Sequence, residues 1–172
     1  MNLMLWMAAA VAACASPLAL ASEAPATGYL RKIEDAATAT CHYQNQAGRI
    51  IIAARPCEQT IDYGADLQRL PFALALAGGW HAYAPNGAHL FEVFMYDNGP
   101  DEPAEGLIRI ERDGLIGYAA VDSGKIVVPP RYQCAWPFRD GEAEVGLRCH
   151  KVYEPGGEHW RWVADEWLTL RR

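Results

Sequence analysis

The feature that most constrains the fold of this chain is the close spacing of its glycine turns. From Cys41 onward, short apolar runs alternate with turns such as Asp113-Gly114, Asp122-Ser123-Gly124 and Asp140-Gly141. Short runs bounded by glycine-containing turns predict β-strands joined as hairpins. Beyond the N-terminal apolar run, no window shows a sustained helical period, so helices are not expected to build this protein. The sequence therefore predicts an all-β fold of antiparallel hairpins and meanders.

The N-terminal apolar run has three interpretations. Residues 1–21 are uncharged and end in a small-x-small pattern, which predicts a signal peptide cleaved before Ser22 and a periplasmic or secreted protein. Alternatively, residues 11–14 resemble a bacterial lipobox, with Cys14 as the lipidated residue of an anchored lipoprotein. A transmembrane anchor is less favoured because Pro17 interrupts the run, which is also short for a bilayer.

Length and charge limit the size and the partners of the mature protein. The chain has 172 residues, enough for one domain with its own core. Residues 22–40 are predicted to form an N-terminal lead that precedes the domain, with a short helical turn within Tyr29–Thr40. Residues 41–172 are predicted to form a single domain. The net charge is -6 and no basic patch is visible, so a nucleic-acid partner is not expected.

Four cysteines lie beyond the predicted leader: Cys41, Cys57, Cys134 and Cys149. Four cysteines allow three pairings. The nearest-neighbour pairing, Cys41–Cys57 and Cys134–Cys149, would staple two local hairpins. Disulfides are favoured over four free buried thiols because exported proteins fold in oxidising compartments, and the choice among the three pairings stays open. A zinc site is not expected, since no two of these cysteines have C-x-x-C spacing.

Internal repetition underlies the turn pattern. Tyr43, Tyr83 and Tyr118 lie 40 and 35 residues apart, and each precedes a polar turn with a glycine and then an apolar run. Residues 157–170 are interpreted as a degenerate fourth unit. Because one hairpin cannot bury its own apolar face, such repetition predicts neighbouring units that pack on one another.

The stretch from Gly106 to Gly146 resembles the WG-repeat family. In the order of a family unit, this chain supplies Gly106-Leu107, Gly114, Gly117-Tyr118, Gly124-Lys125, Pro129-Pro130, Tyr132, Pro137-Phe138 and Gly141. Ile116 stands where the name-giving tryptophan is expected, and Trp80 is followed by His81 instead of glycine. The resemblance implies about three to four degenerate β-repeat units, with at most a short N-terminal helix, in an exported bacterial protein. It leaves the biochemical role unassigned.

Candidate nucleophiles and metal ligands are few. After cleavage the serines are Ser22 and Ser123, and Ser123 lies in a turn without a G-x-S-x-G elbow. Paired cysteines offer no thiolate. No enzyme activity is therefore predicted. The histidines lack tight ligand spacing. A hairpin would bring His81 and His89 together, but turn or surface histidines are the favoured interpretation and no metal site is predicted.

An acidic segment supplies the candidate carboxylates Asp97, Asp101 and Glu105. The favoured interpretation is a solvated loop that turns the chain. Calcium is the one cofactor that the sequence leaves open, because it takes several oxygen ligands near turns. Asp101 and Glu105 also suggest glycoside hydrolysis, which needs two carboxyl groups across a sugar cleft.

Trp160 and Trp162 are the other candidate binding residues. In an extended segment their indoles share one face while Arg161 points away. Exposed tryptophans stack on sugars or build protein interfaces. Trp80 and Trp136 are predicted to pack in the core.

These observations predict an exported, non-catalytic binding or interaction module of the cell envelope, with a protein or glycan partner. Two alternatives stay open. One is an envelope glycan hydrolase that uses the acidic-loop carboxylates. The other is a secreted inhibitor or immunity-type protein that blocks a partner enzyme. The sequence leaves the oligomeric state open.

Overall fold

The computed structural model describes residues 28–96, 99–153, 156–157 and 160–172. The predicted signal peptide, the lipobox with Cys14, and the candidate residue Asp97 lie outside the described residues.

The described chain consists of β-strands and one short 3-10 helix, Cys57–Gln59. The strands are β1 (Leu30–Asp35), β2 (Thr40–Asn45), β3 (Ile50–Pro56), β4 (Thr60–Ile61), β5 (Ala73–Leu76), β6 (Trp80–Tyr83), β7 (His89–Val93), β8 (Met95–Tyr96), β9 (Gly99–Pro100), β10 (Leu107–Arg112), β11 (Leu115–Ala120), β12 (Ile126–Tyr132), β13 (Cys134–Ala135), β14 (Glu142–Tyr153) and β15 (Trp160–Arg171). The predicted all-β fold of antiparallel hairpins is confirmed.

The strands form one large sheet and three smaller ones. The central sheet has the order β12-β11-β10-β7-β6-β5-β4. A first flanking sheet contains β1-β2-β3, a second flanking sheet contains β13-β14-β15, and β8 pairs with β9 as a short ribbon. The strand pairs in these sheets are antiparallel, and most join neighbouring strands in the sequence.

The central sheet curls around its own apolar core. This first core is built by buried residues on one face of the sheet, among them Phe72, Leu74, Trp80, Phe91, Ile108 and Ile110. Ile61 of β4 and Ile126 of β12, on the two edges of the sheet, pack against this cluster. The two ends also approach each other: a Cβ on Gly124, just before β12, would lie 3.1 Å from the ring of Phe72, just before β5. Seven strands laid flat would hold those edges about 29 Å apart. The face with the first core is therefore concave, and the predicted core position of Trp80 is confirmed.

The opposite face of the central sheet is covered at two places. The first flanking sheet packs there through Leu30, Tyr43 and Ile52 onto Ala73 and Ala75 of β5. The second flanking sheet packs through a cluster that includes Ile116, Tyr118, Phe138, Ala143 and Val145. Between the two clusters this face carries the polar side chains of His81 on β6, Glu92 on β7 and Glu111 on β10.

The N-terminal segment forms a strand, and the helical turn predicted within Tyr29–Thr40 is wrong. Leu30 is completely buried, and its backbone N–H and C=O exchange hydrogen bonds with Leu70 at 2.8 and 2.9 Å. The rest of β1 pairs with β2 along its length. Tertiary pairing thus overrides a weak local helical preference.

Three hairpins share the same two-residue turn. Glu105-Gly106 has φ angles of 50° and 75°, Asp113-Gly114 has 54° and 73°, and Asp140-Gly141 has 53° and 78°. Two consecutive positive φ angles identify the type I′ turn, which matches the twist of the joined strands. The predicted turns at Asp113-Gly114 and Asp140-Gly141 are confirmed, whereas the number of repeat units stays a prediction.

Pro129 and Pro130 lie inside β12, which is an edge strand of the central sheet. An edge strand can turn positions without an N–H toward solvent. The β12 backbone also passes close to β11: a Cβ on Gly117 would lie 2.6 Å from the Pro130 nitrogen.

The predicted disulfides are present, and of the three pairings that the sequence leaves open they are the nearest-neighbour pairs. Cys41–Cys57 joins β2 to the 3-10 helix with a Cα–Cα distance of 4.8 Å. Cys134–Cys149 joins β13 to β14 with a Cα–Cα distance of 5.9 Å. Disulfides persist in oxidising compartments, so the pair indicates a location outside the cytoplasm. Among the described residues, none forms a helix long and apolar enough to cross a membrane.

Candidate functional site

The candidate site is an aromatic platform formed by Tyr96, Lys151, Trp160 and Trp162. Lys151 on β14 pairs directly with Trp162 on β15, and Tyr153 pairs with Trp160. Directly paired residues project to the same face of a sheet. The prediction that Trp160 and Trp162 share one face is therefore confirmed.

The platform is held together by aromatic and cation–π contacts. The Trp160 and Trp162 rings lie 5.0 Å apart between centroids, nearly perpendicular at 78°. Tyr96 of β8 meets the Trp160 ring at 5.7 Å. The Lys151 ammonium nitrogen lies 4.0 Å from the Trp160 centroid and 5.4 Å from that of Trp162. An ammonium over an indole face is attracted by the negative π surface, so Lys151 is held in place.

The two tryptophans are both half-buried, but they differ in what they contact. Trp162 packs against the cluster beneath the second flanking sheet. Its buried Nε1 has no hydrogen-bond partner among the described residues. Trp160 does not join that cluster, and its surroundings include exposed side chains. Tyr96 is 42% exposed, as is neighbouring Met95, and Tyr153 is 59% exposed. Trp162 thus anchors the platform, and the neighbouring Tyr96 and Tyr153 are exposed.

This composition is typical of protein interfaces. Tyrosine, tryptophan and methionine are enriched in interface cores, where a few large side chains supply most of the binding free energy. A sugar ring would normally stack on an exposed indole face. Lys151 already occupies one face of Trp160, so a sugar would have to displace it or use the other face.

Asp101 is buried, and the prediction of a solvated loop is wrong for this residue. It is 4% exposed and forms an ion pair with Arg109, which is 2% exposed. One carboxylate oxygen accepts from the Arg109 guanidinium at 2.5 Å, and the other accepts from the Arg109 backbone N–H at 2.9 Å. Because both oxygens are engaged, Asp101 is not available to a calcium ion or a sugar in this conformation.

Arg109 is the residue that sequence reasoning missed. It alternates with Ile108 and Ile110 of the first core, so its side chain emerges on the opposite face of β10. There its guanidinium donates to the Ala135 carbonyl at 2.8 Å and lies 5.1 Å from the Tyr96 ring centroid. The Arg109–Asp101 pair therefore ties the central sheet to β13 and supports the platform from beneath.

Glu105 forms part of a turn, and the residues it contacts differ from those that Asp101 contacts. Its carboxylate accepts from the Gly141 backbone N–H at 3.1 and 3.3 Å and lies 3.8 Å from the Arg172 guanidinium. These contacts join the turn at Glu105-Gly106 to the turn at Asp140-Gly141. A role in hairpin geometry accounts for Glu105 without a ligand.

Trp136 is half-buried, so its predicted position in the core is wrong. It lines an open groove of about 610 Å³ together with Arg139, Glu142, Glu144 and Thr169. Its backbone, in contrast to its ring, contacts a core residue: the Trp136 carbonyl accepts a hydrogen bond from the Tyr118 hydroxyl at 2.7 Å. Glu142 of this groove is already paired with Arg171 at 2.8 Å.

The hairpin at Pro85-Asn86-Gly87 brings His81 and His89 together, as its position between them suggests. His81 Nδ1 lies 3.1 Å from His89 Nε2. Partial burial lowers the pKa of His89, and the neighbouring His81 acts in the same direction.

Comparison of the chain with protein-family models, with curated proteins and with solved structures finds no match.

Proposed function

We propose that this chain is a non-catalytic binding module of the cell envelope whose aromatic platform docks a protein partner. The observation that carries the proposal is the arrangement of Trp160, Trp162 and Lys151 on one face of the β14–β15 hairpin, with Tyr96 beside them. The tyrosine and tryptophan rings and the Lys151 ammonium together make a surface that fits a protein with a carboxylate opposite Lys151.

Location is proposed in finer terms as periplasmic or secreted, after cleavage of residues 1–21. The two disulfides and the apolar leader support export. The mass of the mature protein tests this: a chain that begins at Ser22 agrees with the proposal. A lipid-modified Cys14 would replace it with an anchored lipoprotein, and an intact Met1 would refute export.

A WG-repeat-like module is the architecture proposed for this function. The turn spacing supports it, since the type I′ turns that begin at Glu105 and Asp140 lie 35 residues apart, as do Tyr83 and Tyr118. The hydrolase alternative has less support, because the Asp101 carboxylate is buried in an ion pair with Arg109. The inhibitor or immunity-type alternative differs only in what the partner is, and identification of the partner decides it.

The binding test compares two tryptophans on one strand. Trp160 lies on the platform, whereas Trp167 lies an odd number of residues away on β15 and projects to the other face. Trp160→Ala should abolish capture of a stoichiometric envelope protein that the unmodified chain and Trp167→Ala both retain. With the purified pair, Trp160→Ala should weaken binding about thirtyfold by calorimetry, as for a hot-spot residue.

Three results would overturn this proposal. Equal loss of binding in Trp160→Ala and Trp167→Ala would remove the platform as the docking surface. Binding of a glycan from an envelope panel, with the same dependence on Trp160, would replace the protein partner by a sugar. Glycan cleavage that disappears in Asp101→Asn and Glu105→Gln would make the chain a hydrolase.

A further inference from the structure

We propose that His81 and His89 form a binding site for a divalent transition metal ion, with Cu²⁺ bound more tightly than Ni²⁺ or Zn²⁺. The order of affinities follows the general preference of nitrogen and oxygen sites for Cu²⁺. This site is separate from the aromatic platform and does not depend on the identity of any protein partner.

The fold brings the two imidazoles to one face. Trp80 and Ala82 of β6 point into the first core, so His81 between them points to the opposite face. The chain returns through the turn into β7, where His89 pairs with Tyr83. A register shift between Ala82 and Tyr83 accompanies this pairing, and it places His89 as the diagonal neighbour of His81. The approach is thus set by the hairpin itself.

The separation of the nitrogens suits a shared ion. Two imidazole nitrogens that each bind a metal at about 2.0–2.1 Å lie about 2.9 Å apart at a right angle and about 3.4 Å apart at a tetrahedral angle. The observed distance between His81 Nδ1 and His89 Nε2 is 3.1 Å. It falls between these two values, so both nitrogens can reach one ion in either arrangement. Rotation of both rings about their Cβ–Cγ bonds would direct the two lone pairs to one ion.

An independent observation also favours a cation here. Glu92 pairs directly with His81 on one side and with Glu111 of β10 on the other. Two carboxylates directly opposite one another in a sheet repel. A divalent ion beside the histidines would relieve that repulsion.

Glu92 is the candidate third ligand. Its carboxylate now lies against Gly79, where an added Cβ would overlap it. Rotation toward its strand partner His81 would bring an oxygen to the ion, and water would complete the coordination. Neutral imidazole is the form that binds a metal.

The test uses the exported chain with both disulfides intact. Calorimetric titration with Cu²⁺ at neutral pH should show one ion per chain, and pulsed EPR should show two coupled imidazole nitrogens. His81→Asn and His89→Gln should each weaken Cu²⁺ binding about a hundredfold, because the second ligand no longer acts at a high effective concentration. Glu92→Gln should weaken it about tenfold. His150→Gln, which changes an exposed histidine on β14, should leave it unchanged.

Two readouts keep the proposal open to refutation even if a histidine variant folds poorly. Cu²⁺ should raise the Tm of the unmodified chain and leave the Tm of each histidine variant unchanged, because an ion that binds only the folded state stabilises it. An EPR spectrum of the unmodified chain without two imidazole couplings would overturn the assignment. So would Cu²⁺ affinity that is the same in His81→Asn, His89→Gln and the control.

Discussion

The two flanking sheets are built alike but meet the rest of the molecule differently. Each has three antiparallel strands, and each carries one disulfide, across 16 residues in the first and 15 in the second. The first is sealed onto the central sheet by fully buried apolar residues such as Leu30 and Tyr43. The second is attached partly through the buried Arg109–Asp101 ion pair, next to its own apolar cluster.

The sheets also differ in how far their strands extend. β14 and β15 are each 12 residues long. The apolar cluster beneath the second flanking sheet covers mainly the half of β14 near Ala143 and Val145. The distal half of β14 is mostly exposed, and it carries Lys151 beside the tryptophans of β15. Strands that extend beyond the core they cover leave a paired, ordered surface free for binding. The first flanking sheet has no such extension among the described residues.

The largest expected effect tests the attachment of the second flanking sheet. Asp101→Asn leaves the Arg109 guanidinium buried without its counter-charge, which should cost about 3–5 kcal/mol in the free energy of unfolding. Denaturation by urea measures it. Asp165→Asn, which breaks the exposed pair with Arg148, is the control and should cost less than about 1 kcal/mol. Similar small losses in both variants would show that Arg109 reaches water, and the contrast between the sheets would fail.

An intermediate effect compares the two disulfides. Replacing Cys41 and Cys57 by serine, or Cys134 and Cys149 by serine, opens loops of nearly equal length. Each change should therefore cost about 3 kcal/mol in the chain-entropy description, as measured by urea denaturation. Only loss of the second disulfide should also weaken partner binding, because that bond lies in the sheet that carries the platform. A much larger stability loss on one side would show that local strain or packing outweighs loop entropy.

The smallest effect concerns the strip between the two flanking sheets. Because the pKa of Glu111 is raised, the folded state holds this proton at pH values where the unfolded chain has released it. The contribution of Glu111 to stability is present at low pH and is lost as the pH rises from the ordinary value of 4.5 through the raised pKa.

Glu111→Gln should remove this loss and stabilise the protein at pH 7 by about 0.5 kcal/mol or less. Thermal unfolding between pH 4 and pH 8 measures the difference, with Glu144→Gln on the second flanking sheet as control. A variant whose stability falls with pH as steeply as that of the unmodified chain would contradict the prediction.

Local features of this protein were predictable from its sequence. Asp113-Gly114 and Asp140-Gly141 mark turns because few residues other than glycine adopt positive φ readily. The apolar runs between them predict strands, and four cysteines in an exported chain predict two disulfides, although not which cysteines pair. The alternation in Trp160-Arg161-Trp162 predicts a shared face, since successive side chains on a strand point to opposite sides. Each of these features arises from the chemistry of neighbouring residues.

Other features required the tertiary structure. The sequence predicts Asp101 in a solvated polar loop, and only the tertiary structure shows that it is buried in an ion pair with Arg109. The sequence predicts Trp136 in the core, yet in the structure this residue is half-buried and lines an open groove. The curl of the central sheet and the approach of His81 to Glu92 depend on strand order and register. Register and layer packing are set by contacts between residues far apart in sequence, and local pattern does not encode which of those contacts form.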